Sequence, residues 1–287
     1  MRPLRQKMIN DMKIHRLSLK TQECYVSAVA GFAKFYNESP DRISQEKIQS
    51  YLLHVLDERK MSWSTCNVIL SGLKFFYTQT LGMDAMQFRL PPRKRQKHLP
   101  EILSPGELER LFASAATPKQ RVLLMTTYAA GLRVSEAVRL KLTDIDSSRM
   151  MIRVEQGKGC KDRYTVLSSR LLKELRLYWS RHRPSPWLFP GKDRNRPMPI
   201  GTAQKIYYHA KDRAGITRGR GIHTLRHCFA THLLEAGVDL PTIQSLMGHG
   251  SIVTTMIYVR VTKKKLGSTQ SPLDLLKVPE AGKLLEK

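Results

Sequence analysis

Residues 89–100 read Arg-Leu-Pro-Pro-Arg-Lys-Arg-Gln-Lys-His-Leu-Pro, with three prolines and five cations in one short stretch. Proline removes a backbone donor and fixes φ, so this segment is neither a long helix nor a central strand. It divides the chain, and 287 residues suit two domains of ordinary size. The expected organisation is a first domain over 1–88, a linker over 89–100, a second domain over 101–280 and a short tail over 281–287.

Charge narrows the partner. Lys and Arg number 49 against 24 Asp and Glu, a formal +25. Such an excess points to a polyanion, nucleic acid first and an anionic membrane surface second. In the linker, Arg93, Lys94, Arg95 and Lys97 are candidates to track a phosphate backbone, against the plainer alternative of a solvated charge run. No apolar run approaches the ~18 residues of a membrane span, and the charged N-terminus reads as no secretory signal. Hydrophobic residues make up 41% of the chain, which argues against wholesale disorder. The four cysteines stand singly, and the histidines form neither H-E-x-x-H nor a Cys/His knuckle. The reading is therefore a reducing, cytoplasmic setting with no metal implied.

Before the linker, Tyr25, Val29, Phe32, Phe35 and Tyr36, then Ile69, Leu73 and Phe76, recur at helical spacing. A small helical domain with these aromatics in its core is expected. After the linker, Ser104-Pro-Gly-Glu107 has capping-box spacing with proline at the first helical position, so a helix should run to about Ala116. Met150, Ile152 and Val154 alternate with Met151, Arg153 and Glu155, and a turn-rich stretch leads to Tyr164–Leu167. That pattern predicts a β-hairpin. Helices are expected over 171–178, 202–210, 224–235, 241–247 and 251–258, giving a mainly α second domain with a small sheet.

Four short motifs put cations or imidazoles at element ends: Gly131-Leu-Arg-Val-Ser-Glu136, Gly157-Lys-Gly159, His223-Thr-Leu-Arg-His227 and Gly248-His-Gly250, with Tyr258 shortly after. Together they suit a metal-free phosphodiester reaction. Guanidinium groups clamp non-bridging oxygens, Lys or His moves protons, and Tyr supplies a nucleophilic oxygen. Singly, each has a bland reading: Arg133 with Glu136 as a helix pair, Lys158 at a hairpin tip, Tyr258 as a packed ring with a satisfied hydroxyl, and His227 and His232 as polar residues on a helix face.

In this order the motifs resemble the tyrosine recombinase (phage integrase) family, closest to its Xer-type and integron-integrase branch. That branch shares Thr254-Thr-Met-Ile-Tyr258 and Ser271-Pro-Leu-Asp-Leu275. The resemblance covers nearly the whole chain and implies a helical DNA-clamping (core-binding) domain, a linker and an α+β catalytic domain. It implies that Tyr258 forms a 3′-phosphotyrosyl bond and releases a 5′-hydroxyl that is later religated, without metal or nucleotide. By the same analogy Arg133, Arg226 and His249 hold the phosphate, His223 accepts the tyrosine's proton, Lys158 protonates the leaving oxygen with Lys161 as its rival, and Glu136 braces the site. The implied partner is double-stranded DNA, bound by a dimer at each site and a tetramer in the synapse, with Leu273–Leu276, Leu284 and Leu285 either as an apolar segment lent to a neighbour or as a helix packed on its own domain. Two alternatives remain open here: a sequence-specific architectural protein on the same fold without turnover, and a type IB topoisomerase-like nicking-closing enzyme.

Overall fold

A computed structural model describes residues 2–83, 99–155 and 162–259. The cations Arg93, Lys94, Arg95 and Lys97, the lysines Lys158 and Lys161, and the leucines after residue 260 lie outside the described residues. The chain separates into one unit up to residue 96 and another from residue 97.

The first unit is helical: α1 (Arg2–Ile14), α2 (Leu19–Tyr36), α3 (Gln45–Asp57) and α4 (Trp63–Phe75), the last continuing into a π-helical turn, Phe76–Thr80. The Ser18 and Ser62 hydroxyls accept from the Thr21 and Thr65 amides, each at 3.2 Å, and so start α2 and α4. A Cβ on Gly72 would lie 3.1 Å from the Tyr25 Cα, so the absent side chain lets α2 and α4 approach closely. Met8, Met12, Phe32, Ile48, Val55, Leu73 and Phe76 form the core. Phe35 departs from the sequence expectation. It is 44% exposed at the flank of the α2 stripe, with its ring 4.4 Å from that of His54.

The second unit opens with α5 (Pro105–Ala113), which ends three residues short of the expected Ala116. Its capping box is present: Ser104 Oγ accepts from the Glu107 amide at 3.3 Å, and the Glu107 carboxylate accepts from the Ser104 amide at 2.7 Å. The expected hairpin is β2 (Met151–Val154) against β3 (Arg163–Val166), antiparallel with Ile152 opposite Thr165 and Val154 opposite Arg163. A two-residue strand, β1 (Ile145–Asp146), adds an edge beside β2. Ile152 and Val154 are buried and Met151 is exposed, as period-2 alternation requires.

Helices α6 (Pro118–Ala129), α7 (Val134–Ala137), α8 (Ser169–His182), α9 (Ile200–Arg213), α10 (His223–Glu235), α11 (Leu240–Met247) and α12 (Ile252–Thr255) complete the unit. The helix expected over 251–258 is therefore shorter, and Tyr258 lies beyond its end. The mainly α fold with a small sheet stands as expected from the sequence.

Two glycines set up the site. Gly131 has φ +59°, and a Cβ there would sit 2.3 Å from Phe229 Cδ1. Gly248 ends α11 in the left-handed region at φ +60°, where a Cβ would lie 2.7 Å from the Arg163 side chain. Gly131→Ala combines left-handed strain with overpacking and is expected to cost roughly 2–4 kcal/mol. Thermal unfolding should show a fall in Tm of several degrees.

Candidate active site

The last turn of α11 turns three consecutive carbonyls toward three arginines. Leu246 O accepts from Arg163 Nε at 3.0 Å, Met247 O from Arg226 Nη2 at 2.5 Å and Gly248 O from Arg133 Nη2 at 3.2 Å. These are carbonyls that a helix end leaves unsatisfied, and they carry the negative end of its dipole.

Glu136 supplies the opposite charge. Its carboxylate takes both Nη atoms of Arg163, at 2.9 and 2.8 Å, Nη1 of Arg133 at 2.7 Å and the Arg133 amide at 2.8 Å. Arg226 Nη1 stands 3.8 Å from the same carboxylate and donates to Gly131 O at 2.5 Å. The short helix α7 makes this possible, because it places Glu136 three residues after Arg133, beside its amide. The i, i+3 pair of the bland reading is real, and it is one part of a larger cluster.

Burial opposes the charge on Glu136, but the hydrogen bonds and charge of Arg163 and Arg133 prevail and hold its carboxyl at about 2. Arg226 is almost fully buried, and desolvation with the nearby Arg133 draws its pKa down to about 10, so it is charged at neutral pH. Three guanidinium groups against one carboxylate leave this cluster with a local +2, which favours an anion.

The imidazoles lie around it. His249 follows Gly248 directly, and its Nδ1 is 2.9 Å from Thr255 Oγ1. Burial, then Arg226, Arg133 and Arg163, push His249 down to about 4. His223 is the first residue of α10 and is exposed; desolvation and the charges of Arg226 and Arg133 lower its pKa. His232 pairs its Nδ1 with the Tyr128 hydroxyl at 3.0 Å, in keeping with its bland reading.

Tyr258 is 2% exposed and packs with Phe229, Ala230, Leu234, Ile243 and Met247. Its ring lies nearly parallel to that of His249, with centroids 6.5 Å apart. Burial pushes its hydroxyl up to about 12, against the opposing pull of Arg226 and Arg133. The structure thus draws Arg133, Glu136, His223, Arg226, His249 and Tyr258 into one region, while Lys158 lies outside the described residues.

Two residues escaped the sequence reading. Arg163 occupies the same face of β3 as the buried Thr165, and a cation at an inward strand position was its signal. His227 was assigned to a helix face, yet its Nδ1 is 3.1 Å from Tyr258 Oη. Its signal was a titratable side chain inside the otherwise buried run from Thr224 to Thr231.

The sequence profile of the phage integrase family matches residues 101–265, and that of a phage integrase N-terminal SAM-like domain matches residues 4–86. A Sinorhizobium fredii relative named as an integrase/recombinase is 43% identical over 280 residues, covering 97% of this chain and 91% of its own. Tyrosine recombinase XerA of Thermococcus kodakarensis is 35% identical over 263 residues, covering 89% and 88%. A crystal structure of XerA recombinase superposes with a TM-score of 0.54 at 29% identity, over 93% of this chain and 96% of that one. The XerH recombinase bound to its difH substrate, in a post-cleavage complex, gives 0.69 at 22% identity over 92% and 83%, a likeness of fold. The chain belongs to the phage integrase family, the tyrosine recombinases.

Proposed function

We propose that this chain is a site-specific DNA recombinase in which Tyr258 attacks the scissile phosphate. A 3′-phosphotyrosyl bond forms and a 5′-hydroxyl leaves; attack by a 5′-hydroxyl from a partner strand then restores the phosphodiester. The bond energy stays in the phosphotyrosine, so neither ATP nor a metal is needed. The observation that carries this reading is the convergence of Arg133, Arg226, His249 and Tyr258 around the Glu136 cluster. It gives an anion-receptive pocket beside a phenol, within a family of recombinases.

In this reading Arg133 and Arg226 clamp the non-bridging oxygens with help from His249, and Glu136 braces both guanidinium groups. His223 acts at the exposed start of α10, and Lys158 protonates the leaving 5′-oxygen. Arg93, Lys94, Arg95 and Lys97 contact the DNA backbone. Such contacts make affinity fall steeply with salt. The acting form is a dimer on each site and a tetramer across two, in the cytoplasm and on the nucleoid. Among the described residues no helix is long and apolar enough to cross a membrane.

Paired inverted repeats in the DNA flanking the gene supply the trial site. Two differently marked duplexes carrying it should exchange strands in the presence of EDTA. Relaxation or nicking without exchange would support the topoisomerase-like alternative. Binding with no covalent product would support the architectural one, and a strict divalent-metal requirement would contradict the proposed site.

A further inference from the structure

The Tyr258 hydroxyl is buried and paired with an imidazole, and the pairing is with His227. The two rings stand 5.9 Å apart at 50°, which brings Nδ1 to 3.1 Å from Oη. A general base must lie within hydrogen-bond reach of the proton it removes. In the tautomer that carries its hydrogen on Nε2, His227 presents Nδ1 as the acceptor and the phenol donates to it.

We propose that His227 is a catalytic residue that takes the Tyr258 hydroxyl proton as Oη attacks phosphorus and returns it when the strand is rejoined. The inference rests on the nucleophilic role of Tyr258 proposed above and gives that role its proton acceptor in place of His223. In the forward step the O–H bond breaks and the proton passes to Nδ1. The P–Oη bond forms, the P–O5′ bond breaks, and its electron pair leaves on the 5′-oxygen, which is protonated by Lys158. In the reverse step a 5′-hydroxyl attacks, the P–Oη pair returns to the phenol, and the imidazolium gives the proton back.

The surroundings keep His227 able to accept. It is pushed down to about 4 by burial, by His223 and by Arg226. Among the described residues, the groups that face it are His223 and Arg226 on its own helix, His249 after α11 and Tyr258 after α12. Neither α11 nor α12 carries a titratable side chain, and Tyr128 of α6 is engaged by His232. A neutral base beside a phenol raised to about 12 makes a separate phenolate–imidazolium pair unfavourable. Proton transfer is therefore concerted with attack, as negative charge arrives with the phosphate and the imidazolium gains a partner.

The test uses single-turnover cleavage of a nicked duplex carrying the inverted-repeat site, with sulfur in place of the bridging 5′-oxygen. A thiolate leaves without a proton, so the rate reports the nucleophile's proton alone. For the wild type the rate is expected to stay flat between about pH 6 and 8. His227→Asn should be slower by about 100-fold or more at neutral pH, with a rate that rises about tenfold per pH unit as the phenol ionises unaided. His223→Asn should keep the flat profile whatever its rate.

A His227→Asn rate within about threefold of wild type and still pH-independent would overturn the proposal, as would the slope appearing in His223→Asn instead. Should His227→Asn fail to fold, the imidazole nitrogen spectrum of the otherwise native chain decides. The His227 Nδ1 resonance must shift in Tyr258→Phe, and identical spectra would overturn the pairing. Undiminished adduct in Tyr258→Phe would remove the nucleophile reading itself. Loss of adduct there, with a flat His227→Asn profile, removes only this inference.

Discussion

Exchanging Glu136 for glutamine is expected to destabilise the second unit by about 3–5 kcal/mol, because it discharges one buried partner while its cations stay in place. Arg163 loses a two-bond ion pair and Arg133 a charge-assisted contact, and Arg226 loses the one carboxylate close to it among the described residues. The pH dependence identifies the cause. The carboxyl is held at about 2 against an ordinary 4.5, so its ionised form contributes fully above about pH 4.5, and that contribution drains away as pH falls toward 2. At ~1.4 kcal/mol per pKa unit the wild type should lose about 3 kcal/mol across that window through this group alone. Urea unfolding at neutral pH and near pH 3 should show the gap between wild type and Glu136→Gln closing on acidification. A gap of constant size would mean that the carboxylate's charge is not what holds the cluster.

Arg226→Lys is expected to slow single-turnover cleavage by about 100–1000-fold, the usual loss when one preorganised donor to a developing phosphoryl charge is removed. The positive charge survives this exchange. The planar fork that reaches Gly131 O and Met247 O together does not, because an ammonium on a flexible stem cannot span both carbonyls in one geometry. The loop at Gly131 and the end of α11 then lose their common tie, and His249 moves with the latter. DNA affinity and its salt dependence should change little, because neither follows the geometry of one buried guanidinium. A comparable loss in binding and in cleavage would place Arg226 in general DNA grip instead of phosphoryl chemistry.

How much of this was legible in the sequence differs element by element. The capping box of α5 and the alternation of Ile152 and Val154 are local signals, and each gave its element to within a few residues. Helix α6 gave none, because residues 122–127 are buried without interruption and leave no polar face to mark a period. The motif residues Arg133, Arg226, His249 and Tyr258 were readable from chain order alone. What chain order could not supply was the geometry that unites them, namely three carbonyls at the end of α11 facing three arginines around one carboxylate. Arg163 belongs to that geometry and to no motif that the sequence reading used. His227 reads in the sequence as a polar residue on a helix face, and nothing local places such a residue against a phenol 31 positions away.

Tyr258 is expected to become covalently joined to DNA. Incubating the protein with a nicked duplex bearing the inverted-repeat site lets the cleaved 5′ end diffuse away, so that the adduct accumulates and can be digested and sequenced by mass spectrometry. The expected result is a single peptide with a 3′-nucleotide on Tyr258, a free 5′-hydroxyl on the released strand, and no adduct from Tyr258→Phe. A nucleotide attached to any other residue, or an adduct that persists in Tyr258→Phe, would contradict it.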